Sequence, residues 1–297
     1  MAKSEFEPRA YMAYLALRAV LGLPKLLPYR ARIRTIGWLT SALVAPVAGY
    51  RKRVRNNLRL IFPDMDPAEV KRLERAVPNN AGRVLAELFS SDDFVRHLGK
   101  LELSGPGVEA LIKARDDGRP IIGVSGHFGN YDVMRLAMVQ NGFSIGALFR
   151  PFANKYFDRY YRRALETVAK PIFPQGRRGL TDMLRHLKDG NMIAILADQR
   201  ADDGERLSFF GRDALTPISA AEMALKYDAM LFCAYGIRRE NGVDFDMVIE
   251  EPIPHGDPKE MMQAINDSLE ARVRDNMDQF LWIHNRWQIP DNRQDGS

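Results

Sequence analysis

From about residue 101 onward, short apolar runs alternate with longer amphipathic segments. The apolar runs predict six β-strands, at 121–125, 144–149, 171–173, 192–197, 229–237 and 243–250. The amphipathic segments predict helices at 131–140, 154–168, 180–188, 218–226 and 258–276. Strands separated by helices usually form a parallel sheet that is covered on both faces. The pattern therefore indicates an α/β fold with a mostly parallel central sheet flanked by helices. The turn residues at 240–242 predict an antiparallel hairpin at one edge of that sheet.

The first hundred residues lack this alternation and predict helices only, among them 67–77 and 80–97. Two apolar runs, 11–23 and 36–49, precede these helices. The first run is interrupted by Arg18 and followed by Pro24, and the second is shorter than the ~20 residues that span a bilayer. We therefore expect an N-terminal helical membrane-associating segment that lies on the membrane without crossing it. This divides the chain into a basic, apolar arm at 1–60 and an α/β domain at 61–297.

Charge is distributed unevenly along the chain. Between Pro8 and Pro63 there are eleven Lys and Arg and no Asp or Glu. Cations beside apolar residues are typical of a segment that binds an anionic membrane surface. The cations available for this are Arg30, Arg32, Arg34, Arg51, Lys52, Arg53 and Arg55. A solvated helix face at 51–59 is an alternative explanation. Nucleic acid is not an expected partner, because no recognised nucleic-acid motif accompanies the basic segment.

Several classes of protein do not fit the sequence. The single cysteine cannot form an internal disulfide, and no Cys/His cluster has the spacing of zinc ligands. There is no Gly-x-Ser-x-Gly elbow, no Walker-type phosphate loop and no Gly-x-Gly-x-x-Gly after a predicted strand. Serine hydrolases and the common nucleotide-binding enzymes are therefore disfavoured.

Polar side chains follow three of the predicted strands. His127 comes after 121–125, Arg150 after 144–149, and Asp198 and Gln199 after 192–197. Ligands of open α/β sheets bind at the carboxyl ends of the strands. A neutral His127 can remove a proton from an alcohol, and Asp132, five positions further on, can fix its tautomer. The residues predict polar transfer chemistry near an anionic substrate, with a substrate hydroxyl as the attacking group.

The segment 127–132 resembles the His-x4-Asp/Glu motif of glycerolipid and lipid A acyltransferases. Further segments resemble the lipid A secondary (lauroyl/myristoyl) acyltransferases in order along the chain. They are Arg53…Phe62-Pro63, Phe149-Arg150-Pro151 with Asn154, 180–190 followed by Leu196-Ala197-Asp198-Gln199, Phe209-Phe210-Gly211…Thr216, and Trp282…His284…Arg286-Trp287. The resemblance covers about residues 50–290.

This resemblance implies an O-acyltransferase that moves a fatty acyl chain from a thioester to a hydroxyl of a lipid A precursor. The acyl donor is expected to be acyl-ACP or acyl-CoA, and acyl carrier protein, being acidic, suits the basic arm. No metal or redox cofactor is expected. The expected location is the cytoplasmic face of a bacterial inner membrane, with peripheral or monotopic association. Another lipid acceptor (a glycolipid, ornithine-type lipid or lysophospholipid) and a catalytically silent lipid-binding protein are the alternatives.

The resemblance also assigns roles to individual residues. His127 and Asp132 form the expected catalytic pair, with His127 as general base. A further cation is expected after the Arg-Pro segment, at Arg162 or Arg163. The residues expected to bind substrate are Gly129, Asn130, Arg150, Arg163, Asp198 and Gln199.

Overall fold

The computed structural model describes residues 7–288. Its centre is a seven-stranded sheet with the strand order β1-β9-β8-β2-β5-β3-β4. The strands of this sheet are β1 (Leu103–Ser104), β2 (Ile121–Ser125), β3 (Ile145–Phe149), β4 (Ile172–Pro174), β5 (Met192–Leu196), β8 (Met230–Arg238) and β9 (Phe245–Ile253). A separate antiparallel hairpin consists of β6 (Glu205–Phe209) and β7 (Arg212–Thr216). Neighbouring strands of the large sheet are parallel except for β8 and β9, which are antiparallel.

Twelve α-helices lie within the described residues. They are α1 (Pro8–Gly22), α2 (Tyr29–Leu39), α3 (Ala45–Val47), α4 (Tyr50–Ile61), α5 (Pro67–Leu88), α6 (Ser91–Leu98), α7 (Val108–Asp116), α8 (Asp132–Gln140), α9 (Lys155–Val168), α10 (Arg177–Lys188), α11 (Ser219–Lys226) and α12 (Pro258–Asp275). A π-helical segment, Thr40–Val44, joins α2 to α3.

The core lies on both faces of the sheet because alternate side chains of each strand point to opposite faces. On one face, Ile122 of β2 belongs to a cluster that also contains Leu231 of β8. On the other face, Ile121 belongs to a second cluster with Phe232. Strand β2 is buried along its whole length, as its continuous apolar sequence predicts. A central buried strand is a fixed base for the residues that follow it.

The N-terminal residues are packed unequally. Helix α1 has no buried residue, whereas Ile33 of α2 is buried against α5. The predicted boundary at residue 60 falls inside α4, whose Val54 and Leu58 are fully buried in the main core. Among residues 7–288, no helix has both the length and the apolar character that crossing a bilayer requires.

Two cations of the basic arm are used inside the protein. Arg32 is buried and forms an ion pair of 2.7 Å with Asp93. Arg55 forms an ion pair with Glu74, through two hydrogen bonds. Their charges are already paired within the protein, so fewer of the seven cations are left to bind an anionic membrane.

The mostly parallel sheet and its six predicted strands are confirmed, but the ends of the sheet differ from expectation. The antiparallel partner β9 is not the outermost strand, because β1 pairs along its free edge. Helix α5 runs through Pro78, where a break was predicted. A proline removes one backbone hydrogen bond, and burial of Val70, Leu73 and Val77 along α5 outweighs that loss.

Candidate active site

The carboxyl ends of β2, β3 and β5 meet at one edge of the sheet. Strand β5 lies between β2 and β3, so the residues that follow these three strands are neighbours in space. Ser125 of β2 is paired with Leu196 of β5, and the N–H of Ala197 donates to the carbonyl of Ser125. The register therefore places the two polar residues that follow, His127 and Asp198, side by side.

Asp198 holds His127 through two hydrogen bonds. The Oδ1 atom of Asp198 lies 2.8 Å from His127 Nδ1, and its Oδ2 atom accepts from the His127 backbone N–H at 2.9 Å. With the proton on Nδ1 directed at the carboxylate, Nε2 is the basic nitrogen. The amide nitrogen of Gln199 lies 3.4 Å from Nε2. The arrangement can remove a proton from a hydroxyl placed at Nε2.

The charge of Asp198 sets the proton affinity of His127. Burial disfavours the charged imidazolium, but the charge and the hydrogen bond of Asp198 outweigh it, so the pKa of His127 is raised above its ordinary value. The same pairing, against the effect of burial, lowers the pKa of Asp198, so this carboxylate stays ionised. An ionised carboxylate behind a histidine stabilises the imidazolium that forms on proton transfer.

The predicted contact between Asp132 and His127 is corrected by the structure. The carboxylate of Asp132 instead binds the guanidinium of Arg135, with 2.7 Å between Oδ1 and Nη1. Both side chains are 5% exposed, and Arg135 also donates to the carbonyls of Leu165 and Ala169. A buried arginine needs a carboxylate partner, and Asp132 is that partner. The two lie three positions apart on α8, which places them on the same helix face.

Gly129 and Asn130 shape the turn after His127. Gly129 has φ 55°, and a Cβ atom there would overlap the carbonyl oxygen of Gly236. Asn130 is buried, accepts a hydrogen bond from the N–H of Asp132 and donates to Glu87 at 2.8 Å. The side chain of Asn130 is thus used within the protein, and its predicted role in substrate binding is corrected to a structural one.

Two predicted cations lie in different places. Arg150 follows β3 and lines the cavity beside His127. Arg163 lies on the outer face of α9 and lines a shallow surface depression with Arg159, Arg162 and Lys170. Arg162 is further paired with Glu166 at 2.9 Å. Neither Arg162 nor Arg163 lines the cavity at His127, so the prediction of a second cation there is corrected: α9 turns both outward.

A cavity of about 740 Å³ extends from His127 between α8, α9, α10 and α11. Near His127 its wall carries the polar side chain of Gln199, and Arg150 also lines the cavity. Much of the rest is apolar and is formed by Leu165, Ile172, Leu180, Met183 and Leu184. A smaller cavity of about 160 Å³, lined mainly by apolar residues of α5, reaches His127 from the other side. Among residues 7–288, no group of three or more His, Cys, Asp or Glu could hold a metal ion.

The segment 277–288 holds the backbone around His127 in place. The sequence had indicated this segment only as a motif. The N–H of Leu281 donates to the carbonyl of His127, and the N–H of Gly129 donates to the carbonyl of Gln279. The ring of His284 lies 5.3 Å from the ring of His127. Burial, and after it the charge of His127, lowers the pKa of His284, so this second histidine is neutral.

Two motif segments far apart in sequence are joined at this support. The side-chain amide of Asn57 donates to the carbonyls of Trp282 and His284 at 2.7 and 2.8 Å. Arg286 donates to the carbonyl of Leu215 and to the hydroxyl of Thr216, both at 2.6 Å. The polar residues of the Trp282…Trp287 segment, His284 and Arg286, are the sequence signal for this support.

Comparison with known proteins identifies the family. Residues 2–289 match the bacterial lipid A biosynthesis acyltransferases. Lipid A biosynthesis acyltransferases of Haemophilus influenzae and Shigella flexneri are 22% and 25% identical to the chain, over 94% of it and 88% and 92% of their own lengths. A phosphatidylinositol mannoside acyltransferase of Mycolicibacterium smegmatis is 25% identical over 56% of both chains. The chain therefore belongs to the bacterial lipid A biosynthesis acyltransferase family.

Proposed function

We propose that this protein transfers a fatty acyl chain from the thioester of acyl-ACP to a hydroxyl of a lipid A precursor. Family membership supports an acyltransferase that acts on a lipid acceptor. The observation that carries the proposal is the His127–Asp198 pair at the opening of a cavity with a large apolar wall. A base beside an apolar cavity suits a reaction that joins a long acyl chain to an alcohol.

His127 acts as the general base in this mechanism. Its Nε2 removes the proton of the acceptor hydroxyl as the oxygen attacks the thioester carbonyl. The imidazolium that forms is stabilised by Asp198. The tetrahedral intermediate then collapses, the C–S bond breaks, and the imidazolium returns the proton to the leaving thiolate. The thioester supplies the activation, so the reaction needs neither a metal nor a redox cofactor.

Two polar side chains are placed to stabilise the oxyanion. Gln199 Nε2 lies 3.4 Å from Nε2 of the base, and Arg150 lines the same cavity. Donors that already face the developing charge stabilise it at little reorganisation cost. Asp132 shapes the same wall through its pair with Arg135.

The acyl chain occupies the apolar part of the 740 Å³ cavity in this proposal. Leu165, Met183 and Leu184 provide apolar surface there. Each buried methylene group of the chain contributes about 0.8 kcal/mol of binding. Acyl-CoA remains the alternative donor, since it offers the same thioester.

For the acceptor, one specific alternative has support. The relative named as a phosphatidylinositol mannoside acyltransferase favours a glycolipid acceptor of another kind as the second candidate. Both acceptors present a hydroxyl, so the chemistry at His127 is the same.

The N-terminal helices fit attachment to the cytoplasmic face of an inner membrane. Large apolar side chains of α1 and the residues after it are strongly exposed, for example Val20 at 69% and Leu26 at 83%. Arg18 and Lys25 lie among them. Apolar side chains beside cations are the features of a helix that lies in the interface of an anionic leaflet. This placement would bring the lipid acceptor and the enzyme to the same surface.

Acyl transfer measured by mass spectrometry tests the proposal. Wild type and His127→Ala are incubated with acyl-ACP and a Kdo-containing lipid A precursor in mixed micelles. In parallel reactions, acyl-CoA replaces acyl-ACP as the donor, and phosphatidylinositol mannoside replaces the lipid A precursor as the acceptor. We expect the precursor to gain one acyl group with wild type only. His186→Ala, which changes a histidine outside the cavities, is the matched control. Equal transfer by wild type and His127→Ala would exclude His127 as the base.

A further inference from the structure

A basic groove of about 990 Å³ lies against α5. It is bounded by α2, the π-helical segment, α4, α5 and the turn between β8 and β9. Four of its cations carry the inference: Arg51, Lys71, Arg75 and Arg83. The volume suits a ligand of many atoms, since pockets for small molecules are typically about 300–1,000 Å³.

The positive charge of the basic groove is only partly compensated. Arg72 and Arg239 line it but are paired with Glu69 and Asp246 outside it. Lys71 and Arg75 have no ion pair within residues 7–288. The acids of the groove wall are Glu240 and Asp278. The cations therefore outnumber the acids that face them.

Two half-buried arginines of the basic groove have only neutral hydrogen-bond acceptors. Arg83 donates to the side-chain oxygen of Asn79 at 2.7 Å and to the carbonyl of Gly242 at 2.9 Å. Burial, and after it the charge of Arg238, lowers the pKa of Arg83, which shows that positive charges crowd here. Arg51 donates to the carbonyl of Ser41, and its Nε atom is buried without a hydrogen-bond partner. An anion with several oxygens in the groove would give Arg51 and Arg83 a charged partner.

Apolar side chains beside the groove favour a lipid over an acidic protein. Trp38 lines the groove and is 60% exposed. Leu43 and Val47, on the π-helical segment and α3, are 60% and 91% exposed. Tryptophan beside cations is typical of a membrane interface, where the ring lies at the level of the headgroups. A concave basic site with an apolar border fits a phosphorylated headgroup whose chains enter the bilayer next to it.

The basic groove adjoins the small cavity that reaches His127. Asn80 and Gln279 line both this groove and the small cavity that reaches His127. The amide of Asn80 donates to the carbonyls of Gly129 and Gln279, both at 3.3 Å. A headgroup held in the groove would thus lie next to the small cavity that reaches His127.

We infer that the basic groove binds the phosphorylated headgroup of the lipid acceptor and directs its hydroxyl towards His127. Naming this ligand the acceptor rests on the proposed function. Binding of a phosphorylated headgroup in the groove does not depend on the reaction. Phosphate is the chemical group recognised, and Arg51, Lys71, Arg75 and Arg83 are its ligands.

A binding measurement tests the site without any acyl transfer. Calorimetry compares dihexanoyl phosphatidic acid, dihexanoyl phosphatidylcholine and inorganic phosphate as ligands of the full chain. We expect phosphatidic acid to bind most tightly, and the Kd to rise about tenfold for each cation lost in Lys71→Gln/Arg75→Gln. The control, Lys100→Gln/Arg212→Gln, removes the same charge at exposed positions and should bind as wild type does. Inorganic phosphate binding as tightly as phosphatidic acid, or equal loss in both double variants, would overturn the inference.

Two further readouts separate this inference from the proposed function. In the transfer assay, Lys71→Gln/Arg75→Gln should raise KM for a phosphorylated acceptor while kcat is retained. If wild type is active and the KM of Lys71→Gln/Arg75→Gln is unchanged, the role of the groove in acceptor binding is refuted and the proposed function is retained. Transfer absent from wild type, with phosphatidic acid still bound at the groove, would refute the function alone. Weaker binding of acyl carrier protein by the groove variant, with unchanged lipid binding, would assign the groove to a protein partner and reject a headgroup site.

Discussion

His127 and Asp198 lie at equivalent positions on two neighbouring parallel strands, each two residues beyond a paired residue. The pair Ser125 and Leu196 sets this register, and the side chains that follow meet with 2.8 Å between Nδ1 and Oδ1. The contact between His127 and Asp198 thus depends on the same strand pairing that holds the centre of the sheet. Neither residue has to be positioned by a long loop.

The raised pKa of His127 predicts how activity depends on pH. The base must be neutral to accept a proton, so a pKa above the ordinary 6.5 means that kcat/KM rises with pH through a midpoint above 6.5. A pH profile of acyl transfer between pH 5 and 9, with a separately checked thioester stability, measures it. A midpoint below 6.5 would show that burial, and not Asp198, dominates the environment of His127.

Asp198→Asn tests the positioning role of the carboxylate. Without the negative charge, the imidazolium loses its partner and burial remains, so the midpoint of the pH profile should move down. The amide also favours the wrong tautomer, and kcat should fall by a factor on the order of 10⁴. Asp203→Asn, which removes an exposed carboxylate in the loop after β5, is the control and should change neither quantity. A fall in kcat with an unmoved midpoint would indicate a structural role only.

The strands that carry this site can be predicted from the sequence, but the order of the strands in the sheet cannot. The apolar run 121–125 matches β2, and polar residues at its end mark the active edge. Strand order is a property of the whole sheet, however, and nothing local indicates that β5 lies between β2 and β3. Asp132 is five positions from His127 in sequence and Asp198 is seventy-one, so local reasoning favours Asp132, whereas the structure places Asp198 against His127.

The hairpin β6–β7 is a second feature that the local sequence does not predict. Its turn is formed by Phe210 and Gly211, both with positive φ, in the manner of a tight two-residue turn. Phe210 is an uncommon residue at such a position, so the usual Asn-Gly or Asp-Gly signal is missing. Packing of Phe210 against Trp282 and Trp287 supports the turn, and these partners come from the far end of the chain.

Asp132→Asn should act on stability through Arg135. Removing one partner of a buried ion pair leaves the other charge uncompensated, which costs about 3–5 kcal/mol of the free energy of unfolding. Urea unfolding measures the loss, and Asp132→Asn/Arg135→Met should recover much of it because neither charge then remains. The pH midpoint of activity in the surviving folded enzyme should not move. Wild-type stability combined with a lowered midpoint would instead make Asp132 a partner of His127.

Gly129→Ala should disrupt the turn that carries His127, for two separable reasons. Gly129 has a positive φ, which costs an L-residue about 1–2 kcal/mol, and its new Cβ would also overlap the carbonyl oxygen of Gly236. Gly118 has a similar φ of 65° but open space around its Cβ position, so Gly118→Ala measures the conformational cost alone. We expect Gly129→Ala to be destabilised beyond Gly118→Ala in urea unfolding, and to lose acyl transfer because His127 shifts relative to Asp198. Equal destabilisation of the two variants, with transfer retained in both, would show that the turn yields without moving the base.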